Sequence, residues 1–118
     1  MDKIISIGLN VGSSEPSVQL DVSLRAVQRL AKDVKGYISN IAVFTSEWEG
    51  VKERTLQVRV SYDRKMYDKF LEKLPLLAHD LQQECVVAIN DRALWWVLYY
   101  SDKRVKVGES TDKYPVKV

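Results

Sequence analysis

Cysteine and histidine are almost missing from this chain of 118 residues, which has one of each, Cys85 and His79. A lone thiol cannot close an internal disulfide, so a reducing, cytoplasmic setting is expected. A metal centre needs several converging ligands, and only Asp80 and Glu84 stand near His79 in sequence, so neither a metal nor a cofactor is expected. A thiol nucleophile would need a base, and His79 is the only imidazole. Cys85 opens an apolar segment, where an inert, buried thiol is the commoner case. Long apolar runs are also missing. No stretch approaches the ~18 uncharged apolar residues that span a bilayer, so no membrane partner is expected. The opening Met1-Asp2-Lys3-Ile4-Ile5 has no signal-peptide pattern. Nor is there a strong charge of one sign. The net charge is +2, with the basic excess in residues 51–118, which suits weak attraction to an acidic partner or plain solvation, the latter being the better reading.

The composition that remains, 46% hydrophobic and 29% charged, is that of one globular domain. Residues 4–11 alternate with period two and predict a strand, broken by Gly12-Ser13-Ser14-Glu15-Pro16. Leu20, Leu24, Val27, Leu30, Ala31 and Val34 make an apolar stripe that predicts a helix over 18–35, stopped at Lys35-Gly36. Residues 40–62 predict a β-hairpin. A two-residue turn at Glu49-Gly50 pairs Trp48 with Val51, Glu47 with Lys52, Thr45 with Arg54, Val43 with Leu56 and Ile41 with Val58. Apolar then meets apolar and acid meets base. Asp63 caps a second helix over 64–83, which Pro75 should kink or divide. Cys85 to Ile89 and Ala93 to Tyr100 predict two more strands, joined by Asn90-Asp91-Arg92.

This order resembles the ferredoxin-like split βαβ arrangement. The expected fold is α+β: a β-α-β-β-α-β antiparallel sheet with an additional C-terminal strand and two helices on one face. One domain is expected over residues 1–100, with a polar C-terminal extension over 101–118. Such folds host many unrelated functions.

Candidate sites are sparse. Gly8 to Gly12 lies between strand and helix but lacks the Lys-Ser/Thr of a phosphate loop, and a connector is the better reading. Glu47 and Glu49 face Lys52 and Arg54, which makes a charge ladder rather than a catalytic pair. RNA-recognition motifs share the topology, yet the first strand has no aromatic residue. A phosphate-facing patch could still form from Arg54, Arg59, Arg64 and Lys65.

The strongest anomaly is residues 93–100, ALWWVLYY, which are apolar on both faces. We assign Trp96, with Leu94 and Leu98, to the core. Trp95, Val97 and Tyr99 then form an outward aromatic face, extended by Phe44 and Trp48. If Cys85 to Ile89 pairs with this strand across a two-residue turn, Val87 meets Trp96 and Ala88 meets Trp95. The function expected is a small non-enzymatic protein-interaction domain that forms a homodimer or docks a protein partner through that face. Its size and lack of signature resemble phage or mobile-element accessory proteins. Nucleic-acid binding and a small enzyme similar to the dimeric α+β barrels are the alternatives.

Overall fold

The computed structural model describes residues 2–9, 16–48, 51–81, 83, 85–90, 95–100 and 102–109. Strand β1 (Asp2–Gly8) is followed by helix α1 (Pro16–Asp33), then β2 (Tyr37–Trp48) and β3 (Val51–Ser61). A 3₁₀ turn (Arg64–Met66) leads into α2 (Tyr67–Asp80), β4 (Cys85–Asn90), β5 (Trp95–Tyr100) and β6 (Val105–Glu109). The six strands form one antiparallel sheet in the order β2-β3-β1-β4-β5-β6. Its first four strands have the ferredoxin-like order, and β5 and β6 extend it beyond β4. No helix among the described residues is long and apolar enough to cross a membrane.

The core forms where the apolar rows of the inner strands meet the helix stripes. Ile5 and Ile7 of β1 lie beside Val58 and Leu56 of β3, and Ile5 also lies beside Ala88 of β4. All of these are buried, together with Val27, Leu30, Ala31 and Val34 of α1 and Phe70, Leu74, Leu77 and Ala78 of α2. The i, i+3, i+4 spacing of these helix residues is what turns one stripe of each helix onto the sheet. Tyr62 stacks on Phe70 with ring centroids 4.5 Å apart and joins the end of β3 to α2.

Local chemistry sets the element ends. The Asp63 carboxylate accepts a hydrogen bond from the Lys65 backbone N–H at 2.9 Å and starts the turn into α2. Pro75 sits inside α2, which runs undivided from Tyr67 to Asp80, so the expected break does not occur. Only one backbone donor is lost there, and the buried stripe on either side of Pro75 holds the helix to the sheet. At the end of α1 the left-handed residue is Lys35 (φ 55), and the Gly36 N–H reaches back to the Ala31 carbonyl at 2.7 Å. Gly36 is needed for closeness: a Cβ there would collide with the Ser61 backbone carbonyl.

The hairpin register is the predicted one from Trp48–Val51 through Val43–Leu56 to Ala42–Gln57. It then shifts, so that Ser39 pairs with Arg59 and Ile38 with Val60. Asn40 and Ile41 lie opposite Val58 as a β-bulge, with Asn40 at φ 51, so the expected Ile41–Val58 pair is not formed. The β4–β5 register differs by two residues from the expected one: Ile89 pairs with Trp96 and Ala88 with Val97. A shift of two preserves which residues share a face. Residues 105–109, expected in a polar extension, form β6. Its turn is built by Asp102, whose carboxylate accepts from the Arg104 backbone N–H at 3.1 Å and from Arg104 Nε at 2.6 Å. These contacts hold the Asp102 carboxyl below its usual range, and the Arg104 guanidinium lies 4.5 Å from the Tyr100 ring centroid.

Two substitutions test this packing. Leu56→Ala should lower unfolding stability by about 2–5 kcal/mol in a denaturant titration. Gly36→Ala should cost about 1–3 kcal/mol, because backbone rather than a yielding side chain occupies the Cβ position.

Candidate functional site

Alternation along the strands assigns each predicted site residue to a side of the sheet. Val97 pairs with Ala88 and Tyr99 with Val86, and both partners belong to the helix-covered core. Tyr99 is 8% exposed within that core, and Val97 packs against it. The face expected to be outward is therefore the inner one. The local pattern could not decide this, because both faces of β5 are apolar. The decision comes from the Ile5–Ala88 pairing, which ties the even-numbered residues of β4 to the core row of β1. On the other side, Ile89 and Leu98 are also buried, at 2% and 4% exposure. The expected core role of Leu98 thus places it on the wrong side of the sheet, and at the described positions this strand is covered on both faces. The side chains of Trp48, Trp95 and Trp96, and residue Leu94, lie outside the described ones.

Phe44 is half-buried and pairs with Thr55, on the side away from the helices. It lies four strand spacings, ~19 Å, from β5 and does not extend a patch with Val97 and Tyr99. The four basic candidates are also dispersed. Arg54 falls by alternation on the helix side of β3, whereas Arg59 falls on the open side. Arg59 there meets Asp2, with Nη1 3.3 Å from Oδ2. Arg64 and Lys65 are exposed in the turn beyond the end of β3. His79 and Asp80 are exposed at the end of α2, and no cluster of three potential metal ligands occurs among the described residues. Gly12, Glu49 and Glu84 lie outside the described residues, as does the side chain of Cys85.

Two features not anticipated from the sequence emerge. The first is a polar seam on the open side of β1 and β3, where Gln57 Nε2 donates to Ser6 Oγ at 3.5 Å beside the Asp2–Arg59 pair. Ser6 and Thr55 are buried within it. The second is a groove of about 410 Å³ between α1 and α2. Ala26, Leu30, Leu77 and Leu81 form its apolar floor, and Arg25, Arg29, Asp33, Lys73 and Asp80 form its rim. Lys73 Nζ lies 3.7 Å from the Asp33 carboxylate across the two helices. Charged positions flanking the stripe of each helix were visible in the sequence. That the two helices set them around one hollow depends on helix pairing, which no local pattern encodes.

No protein-family model matches the chain, and no curated protein sequence matches it. Solved structures do match in fold. One is a phage SAM lyase in its apo state, 16% identical, with a TM-score of 0.58 over 96% of this chain and 91% of that one. The likeness extends over nearly the whole of both chains.

The Tyr99 hydroxyl reports on the helix–sheet interface. Burial, and then the neighbouring Tyr67 of α2, push its pKa up to about 12. An unfolded tyrosine ionises near pH ~10, so below that pH Tyr99 is neutral in both states and contributes no pH dependence. As the pH rises from ~10 toward 12 only the unfolded chain gives up this proton, and stability falls. Unfolding measured across this range should show a loss on the order of 1–3 kcal/mol from this group. Tyr99→Phe should remove that part of the slope and leave the slope below pH ~9 unchanged.

Proposed function

We propose that this chain is a phage-type protein directed at S-adenosylmethionine. The observation that carries the reading is the end-to-end correspondence in fold with a phage SAM lyase. The ligand's chemistry sets what a site must supply. S-adenosylmethionine joins a sulfonium cation to an apolar purine and an amino acid bearing both charges. It calls for acidic or aromatic groups near the sulfur, a basic group for the carboxylate, and an apolar floor. The groove between α1 and α2 brings these kinds of group together, with Asp33 and Asp80, Arg25 and Arg29, and the leucine floor. It is the first place to test.

Titration with S-adenosylmethionine, followed by thermal unfolding and by chromatography of the nucleoside, checks the reading. At ten times the dissociation constant a ligand of the native state adds roughly 1.4 kcal/mol and raises Tm by several degrees. A saturable rise in Tm or net consumption of S-adenosylmethionine supports the proposal. Neither effect at concentrations on the order of 1 mM overturns it. Arg29→Ala and Asp80→Asn then locate the site: weakened binding in both places it in the groove.

A second reading keeps the chain as a non-enzymatic interaction domain. It is favoured by the exposed apolar residues of the two outer strands, Tyr37, Ile41 and Val43 on β2 and Val105 and Val107 on β6.

A further inference from the structure

The groove between α1 and α2 is ordered along its length. β1 runs antiparallel to β3, so α1, which follows β1, and α2, which follows β3, run in opposite directions. The contact of Asp33 with Lys73 sets one level across the two helices. Leu30 and Leu77 come next on the floor, and Asp80 stands seven residues beyond Lys73, ~10 Å further along. Lys73 Nζ and Asp33 Oδ2 are 3.7 Å apart, further than the ~2.7–2.9 Å of a charge-assisted hydrogen bond, and the two side chains are 33% and 42% exposed. A solvated pair of this kind adds little to stability and opens at little cost. Among the described residues Asp33 pairs with Lys73 and not with Arg29, one turn earlier on its own helix. At the far end Arg25 is held by Asp21 at 2.9 Å, and among the described residues no cation lies within ion-pair distance of Asp80.

We propose that the Asp33–Lys73 pair opens to hold the amino-acid end of S-adenosylmethionine, with Asp33 accepting from the α-ammonium and Lys73 donating to the α-carboxylate. The inference rests on the reading of this groove as an S-adenosylmethionine site and names the residues that select the ligand within it. An α-amino acid carries, side by side, the same two charges that Asp33 and Lys73 offer each other, so the exchange of partners leaves no charge unmatched. Elsewhere on the rim no acid and base face each other across the helices at such a spacing among the described residues. With its amino-acid end held there, the rest of the ligand extends over Leu30 and Leu77 toward Asp80. Asp33 and Lys73 are then specificity-determining residues for ligands that carry an amino-acid group.

Calorimetric titration with three compounds tests it: S-adenosylmethionine, S-adenosylhomocysteine, which keeps the amino-acid end but has an uncharged sulfur, and 5′-methylthioadenosine, which lacks the amino-acid end. The wild-type chain should bind S-adenosylhomocysteine more tightly than 5′-methylthioadenosine. Asp33→Asn and Lys73→Met, each folded by circular dichroism, should weaken S-adenosylhomocysteine by ~10-fold or more, the effect of one lost hydrogen bond to a charged group, and leave 5′-methylthioadenosine within ~2-fold. Should Lys73→Met fail to fold, Lys73→Gln takes its place. The inference is overturned if S-adenosylhomocysteine binds no tighter than 5′-methylthioadenosine. It is also overturned if the two variants weaken both compounds alike or neither, or if Arg29→Ala and Asp80→Asn cause the selective loss instead. Binding of none of the three compounds overturns the reading of the groove and this inference with it, whereas binding with an unmoved preference overturns this inference alone.

Discussion

Pairing of β1 on both of its edges is the constraint on which the remaining structure depends. All seven of its residues pair with β3 on one side, and Lys3 to Ser6 pair with β4 on the other. Ile5 and Ile7 thus fix which row of each neighbour is the inner one. The choice passes outward strand by strand: from Ile7 to Leu56 and then Val43, and from Ile5 to Ala88, Val97 and Val107. The helices respond to that row rather than set it. α1 packs over β2 and β3, and α2 packs over β4 and β5. The edge valines, the buried Tyr99 and the groove between the helices all follow from this ordering.

Much of the fold was legible because its elements carry strong periodicity. The α1 stripe and the hairpin pairs from Trp48–Val51 to Val43–Leu56 are local patterns, and they match the structure; the Asp63 cap falls on the 3₁₀ turn before α2, whose own N-cap is Met66. The departures have separate causes. Asn40 holds the left-handed bulge, and asparagine tolerates that conformation, but several other positions would have satisfied the same apolar alternation. The β4–β5 register depends on the length of its connection, which the Asn90-Asp91-Arg92 pattern understated. β6 was hidden because Lys103, Arg104 and Lys106 make the segment look like solvent-facing tail. In an edge strand, lysine is compatible with pairing on one side.

The candidate sites were less legible than the fold. Arg54, Arg59, Arg64 and Lys65 are close in sequence, yet strand alternation and the turn at Asp63 separate them in space. Asp33 and Lys73 are forty residues apart and meet across the two helices. The aromatic cluster at residues 95–100 reads as a surface in the sequence, but a strand fifth along the sheet from one edge and second from the other has a neighbouring strand on each side. Its richness in large side chains reflects burial on both faces at Leu98 and Tyr99.

The placement of β1 also has a consequence for synthesis. The strand made first is the one whose partners are made late: Ser61 to Thr55 on one edge and Asn90 to Val87 on the other. At ~5–20 residues per second, several seconds pass between the emergence of β1 and the completion of β4. Until β3 emerges the nascent chain carries β1, with Ile4, Ile5 and Ile7, without either partner strand, and the second edge of β1 stays open until β4 is complete. Closure of the β4 edge of β1 is thus the late event on the ribosome, and until then Lys3 to Ser6 present an open strand edge to neighbouring chains on a polysome.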